Sequence, residues 1–74
     1  MSEKERDAIA DAADMIVNNY AFTKDGDNIR ILNLRTETAA LLLPDGRVSE
    51  TSMEDIELDV VLAYFEKNKK HLEI

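Results

Sequence analysis

A few sets of side chains in this 74-residue chain have types and spacings that invite chemistry. Asp7, Asp11 and Asp14 recur at helical intervals, so three carboxylates would line one helix face and could hold a divalent cation. Calcium asks for six to eight oxygens, usually from a curled loop, and a straight helix face offers too few. A solvated acidic face is the expected outcome. The stretch Asp25-Gly26-Asp27-Asn28 faintly resembles a calcium loop but lacks the acid spacing and closing Glu of an EF-hand. It reads as a turn. His71, the single histidine, stands near Lys67, Lys69 and Lys70. A general base needs an orienting partner and a pocket, and the sequence supplies neither. A helix-end cation is the expected role. Ser49, Thr51 and Ser52 have hydroxyls but no adjacent base to activate them. Tyr20 and Tyr64 fall at core-facing helical positions, where packing explains them. No catalytic, metal-binding or cofactor-binding residue is therefore assigned, and the chain is read as non-enzymatic.

Arg30, Arg35 and Arg47 form the remaining polar set, on or beside expected strands. A nucleic-acid surface needs a net basic domain with interleaved aromatics, whereas this chain carries a net charge of −7. Cross-strand pairing with Glu37 or Glu50, and protection of a sheet edge, accounts better for the arginines.

Composition narrows the classes further. The length fits one domain, residues 1–74, with a thin stability margin. Absence of cysteine removes disulfides and thiolate zinc sites, and one histidine cannot build a histidine cluster. Oligomerisation is the stabilising device left to so small a domain. The acidic balance disfavours direct contact with nucleic acid or anionic membrane. No apolar run reaches the roughly 18 residues of a membrane span. The acidic N-terminal residues do not resemble a targeting peptide, so a cytoplasmic location is expected.

These side chains need elements to hold them. Ser2 can cap a first helix with Glu5 at the capping-box position. Ala8, Ile9, Ala12, Ala13, Ile16, Val17 and Tyr20 share one face of it. The polar segment 23–28 ends that helix. Residues 29–34 and the continuous apolar run 38–43 read as strands joined by a turn at 35–38. Pro44-Asp45-Gly46 is a strong turn leading to a polar edge strand, 47–51. Ser52 would cap a last helix over 53–71, with acids crowding its start and bases its end. The expected fold is α+β: a three-stranded antiparallel meander flanked by an N-terminal and a C-terminal helix, α-β-β-β-α, with both helices on one face.

The last helix is where the sequence suggests a function. Met53, Ile56, Val60, Ala63 and Tyr64 fall on one side, and Leu58, Val61, Leu62, Phe65 and Leu72 about a third of a turn further round. That is about twice the apolar stripe of an ordinary surface helix. The middle strand 38–43 also looks apolar on both faces, and so wants cover on both. Surplus apolar surface on a small domain marks a partner. The expected role is a small interaction or regulatory module, a homodimer or the binder of a heterologous protein, with Leu58, Val61, Leu62 and Phe65 as partner-binding residues. The alternative is an acidic inhibitor of phage or mobile-element type that mimics nucleic acid before a nuclease or DNA-binding protein. Segregation of acids and bases along the last helix, and the three interrupting arginines, argue against a continuous phosphate-like track.

Overall fold

The computed structural model describes residues 2–72, with side chains through residue 70. The expectations for the side chains of His71 and Leu72 lie outside the described residues. The chain folds as α1 (Glu3–Ala12), β1 (Met15–Val17), β2 (Tyr20–Asp25), β3 (Asn28–Asn33), β4 (Ala39–Leu42), β5 (Val48–Thr51) and α2 (Asp55–Asn68), closed by a 3₁₀ turn, Lys69–Leu72. The strands form one antiparallel sheet in the order β1-β2-β3-β4-β5. The α+β class and the terminal helices stand as expected, but the meander has five strands rather than three.

The two added strands come from residues that sequence periodicity assigned to the first helix and the following turn. Ser2 caps α1 as expected: its Oγ accepts from Glu5 N at 3.1 Å. The helix stops at Ala12, however, and Ala13 is already extended. Asn18 and Asn19 both take left-handed backbone, with φ of 46° and 71°. That is the sign pattern of a type I′ turn, whose twist suits a two-residue hairpin, and asparagine enters this region at low cost. Met15-Ile16-Val17 then pairs with Tyr20-Ala21-Phe22 across the turn. Apolar residues at 16, 17 and 20 satisfy a helical spacing and a hairpin alike, and the Asn-Asn turn decides for the hairpin. Gly26, with φ of 63°, turns β2 into β3 between Asp25 and Asn28, so most of the expected loop 23–28 is strand.

The other connections are built from side-chain acceptors. Asn33 Oδ1 accepts from the backbone N–H of Arg35 and Thr36, and Glu37 takes a φ of 66° to complete the β3–β4 link. The Pro44-Asp45-Gly46 turn forms as expected: Gly46 N donates to Leu43 O, and Gly46 has a φ of 89°. A bulge at Ser49 shifts register between β4 and β5. Ser52 does not cap α2. The N-cap is Glu54 without a side-chain bond, while Ser52 Oγ accepts from Ala39 N and Thr51 Oγ1 accepts from Met53 N. The Ser52 hydroxyl is spent on the sheet before the helix begins.

Strand alternation sorts the sheet residues onto two faces. Phe22, Ile31 and Ala40 form one cross-strand row, with Ile29 and Leu42 in the next. These residues pack with Met53, Val61 and Phe65 of the last segment as the main core. The opposite face carries the rows Ile16–Ala21–Leu32–Ala39 and Thr23–Arg30–Leu41–Glu50. α1 lies on this second face, where Ile9 and Ala12 line one groove together with Ala21 and Leu32, and Arg6 Nη1 donates to Leu34 O at 3.2 Å. The helices therefore lie on opposite faces, not together on one, because the hairpin of β1 and β2 intervenes between α1 and the rest of the sheet.

The Asn18-Asn19 turn yields a direct test. Asn19→Val should destabilise the fold by about 1–2 kcal/mol, since a β-branched residue is disfavoured in left-handed backbone, and Asn19→Gly should be neutral or stabilising. A helix through residue 19 would reverse that order, because valine is the better helix former. Urea unfolding midpoints of the two variants decide.

Candidate functional site

Two features on opposite faces of the sheet are candidates for function. The first is a hydrogen-bonded carboxylate. Glu57, in the first turns of α2, points at the ends of β2, β3 and β4. Its Oε2 accepts from Tyr20 OH at 2.8 Å and from Asn33 Nδ2 at 2.8 Å, and Thr38 Oγ1 bonds Oε1 and Oε2 at 2.9 and 3.0 Å. The Asn33 amide holds the Glu57 carboxyl below its ordinary range, with help from Tyr20 and Thr38 and against the opposing effect of burial. Burial and the Glu57 bond push the Tyr20 hydroxyl up. Tyr20 also meets the Tyr64 ring at 6.0 Å, and Tyr64 OH accepts from Asn18 Nδ2. With its oxygens engaged by three side chains, this carboxylate ties α2 to β2, β3 and the β3–β4 link rather than presenting a base to a ligand.

The second feature is a groove of about 630 Å³ on the opposite face. Leu32, Ala39 and Leu41 lie along it, Ile9 and Ala12 of α1 form one side, and Glu50, Thr51 and Ser52 stand at the other. It exists because α1 covers only part of the sheet. Five strands span roughly 19 Å at their usual spacing, and one helix is about 10 Å wide. Leu32, Ala39 and Leu41 are left half-buried, and none of the described residues of α1 is buried. The expectation that the middle strand is apolar on both faces matches this arrangement: Ala40 and Leu42 enter the main core, and Ala39 and Leu41 face the groove.

The residues expected to bind a partner fall elsewhere. Val61 is fully buried and Phe65 is 4% exposed, both in the protein's own core, while Leu58 and Leu62 are half-buried against it. Val61 and Phe65 thus offer nothing to a partner in this fold. The unpartnered apolar residues of α2 are Ile56, 80% exposed, and Val60, 41% exposed, one turn apart, followed by exposed Ala63. The helix is rotated relative to the sequence expectation, so the side expected inside carries much of the outer surface. The signal for this orientation was Glu57, which shares the inner face with Val61 and Phe65 at helical spacing.

The remaining candidates are dispersed. Asp7 and Asp11 are exposed on α1, and Asp14 Oδ2 accepts from Lys24 N at 2.7 Å. Among the described residues no group of three or more His, Cys, Asp or Glu is placed to hold a metal. Thr51 Oγ1 donates to Ala39 O, and Ser52 is bonded to Ala39 N. Arg30 pairs with Asp25 at 3.0 Å and Arg47 with Asp45 at 2.6 Å, both exposed. Asp25 ends β2 and Asp45 lies in the turn before β5, so each of these two pairs is formed close in sequence. Arg35 contributes its backbone N–H to the Asn33 turn. No helix among the described residues is long and apolar enough to cross a membrane.

Fold and surface together define a small α+β domain with a polar lock on one sheet face and an open apolar groove on the other. The chain belongs to the family of unknown function DUF7723, which matches residues 3–72. No curated protein and no solved structure matches it.

The lock has a measurable consequence. Glu57→Gln replaces a charged acceptor with a group that brings its own N–H donors against Tyr20, Asn33 and Thr38. It should cost about 2 kcal/mol at neutral pH, the usual scale for hydrogen bonds to a charged group. Because folding lowers the Glu57 pKa, its contribution is present above the ordinary value of 4.5 and is lost as pH falls through the lower folded value. The stability gap between wild type and Glu57→Gln should therefore shrink in acid, as measured by urea unfolding at pH 7 and pH 3.

Proposed function

We propose that this chain is a small non-enzymatic protein–protein interaction module. It works as a homodimer and offers the groove over β3, β4 and β5 to an apolar segment of a heterologous partner. The observation that carries the reading is the groove itself: a half-covered sheet face whose open strip is about one helix wide and lined by Leu32, Ala39 and Leu41. Uncovered apolar surface of this kind on a small domain marks an association site. The exposed Ile56 and Val60 add a second such surface, on the far side of the molecule. Specificity at the groove would come from its rim, where Arg30 and Glu50 flank Leu41 in one cross-strand row with opposite charges. The principal side chains with chemical potential support a non-catalytic role: Glu57 is engaged in holding α2, and Thr51 and Ser52 are engaged in holding the β4–β5 corner.

Light scattering on the protein eluting at tens of micromolar should give twice the 8.4 kDa of one chain. A mass of one chain at that concentration overturns the homodimer. The groove has a separate test. Leu41→Glu should leave the urea midpoint nearly unchanged, because Leu41 is only half-buried. It should also abolish the fluorescence gain of an apolar dye such as anilinonaphthalene sulfonate added to the native wild type. Equal dye binding by both proteins removes the groove as the apolar binding surface.

A further inference from the structure

We infer that two copies of this chain associate through antiparallel contact of their α2 helices, with Val60 and Ala63 at the two-fold axis. This inference rests on the homodimer reading above and supplies its interface. The apolar part of the seam is the line Ile56, Val60, Ala63, spaced four and three apart on the outer side of α2. The first two are among the three large apolar side chains most exposed among the described residues. Ala63 is small enough to let two helix axes come close.

Charge selects the occupant and its direction. Glu54, Asp55 and Asp59 are exposed around the N-terminal half of the helix, and Lys67, Lys69 and Lys70 around its C-terminal end. Lys69 also bonds Glu66 at 3.0 Å on the same helix. A second copy running antiparallel sets its basic end beside the acidic end of the first, at both ends of the seam. A parallel copy sets like beside like. The helix dipoles favour the same choice, since antiparallel neighbours place opposite ends together. Such an interface is isologous and closes at two copies. Seating the α2 stripe in the groove of another copy would instead join unlike surfaces and propagate an open chain. In the closed dimer the two grooves point away from each other, so the assembly binds two partner segments at once.

The chain has no cysteine, which permits a clean cross-linking test. Ala63→Cys, beside the axis, should form an intermolecular disulfide rapidly under mild oxidation. Ile56→Cys should not couple to itself, since antiparallel helices hold the two copies of that position more than about 15 Å apart along the axis. Mixed with Lys67→Cys, it should couple. Val60→Glu, at a position already partly exposed, should keep the fold and weaken the dimer at least tenfold. Efficient self-coupling of Ile56→Cys would mean a parallel seam and overturn the proposal. A dimer by light scattering that Val60→Glu leaves intact, with none of these cysteines coupling, overturns the α2 seam while the homodimer stands. A wild-type monomer removes both, and species growing beyond two copies point to the head-to-tail alternative and overturn the closed seam.

Discussion

The contact on which the architecture turns is the Glu57 carboxylate, held by Tyr20, Asn33 and Thr38. α2 carries apolar residues on nearly every side, so burial alone leaves its rotation about its own axis weakly determined. A carboxylate that must reach donors on β2, β3 and the β3–β4 link removes that freedom. With Glu57 facing the sheet, Val61 and Phe65 follow into the core at helical spacing. Ile56, Val60 and Ala63 are carried to the outside by the same rotation. A partly buried ionised group is costly unless its oxygens are bonded, and here three side chains meet that demand. The polar lock thus decides which apolar side chains form the interior and which remain for association.

The opposite face follows from a mismatch of widths. A five-stranded sheet is broad for one short helix, and α1 has ten residues, none of them buried among those described. Its fastening to the rest is local: the Arg6 bond to Leu34 O, and the Asp14 bonds to β2 that follow the helix. The strip beside it stays open and apolar. One core therefore coexists with two uncovered surfaces, one on each side of the molecule. The proposed assembly gives each a distinct use: the α2 stripe faces another copy, and the groove faces a different protein.

Much of the centre of the fold was legible in the chain. β3, β4, the Pro44-Asp45-Gly46 turn and β5 lie within a residue or two of where branched residues and turn chemistry put them. Their signals are local, and no distant contact competes with them. The N-terminal third departs from its sequence expectation because apolar residues at 16, 17 and 20 fit two periods at once. The deciding feature, paired left-handed backbone at Asn18 and Asn19, is a weak signal without glycine. The added hairpin then carried α1 to the far face of the sheet. The rotation of α2 was hidden for a different reason. Apolar periodicity treats Glu57 as a solvent residue, whereas its partners Tyr20 of β2, Asn33 of β3 and Thr38 of the β3–β4 link meet only in the folded chain. The apolar surplus of the last helix and the two-sided character of 38–43, which supplies Ala39 and Leu41 to the groove, were readable from residue spacing, whereas which side of α2 would face outward was not.

The central claim is that Glu57 is a bonded, ionised anchor that sets the orientation of α2. The most direct measurement is an NMR titration of the Glu57 side-chain carboxyl carbon in the native protein. The account predicts a midpoint below 4.5, the ordinary value for a glutamate, because three donors stabilise the charged form. A midpoint at or above that value would mean that the carboxylate is unheld, and would contradict the orientation from which the rest is argued.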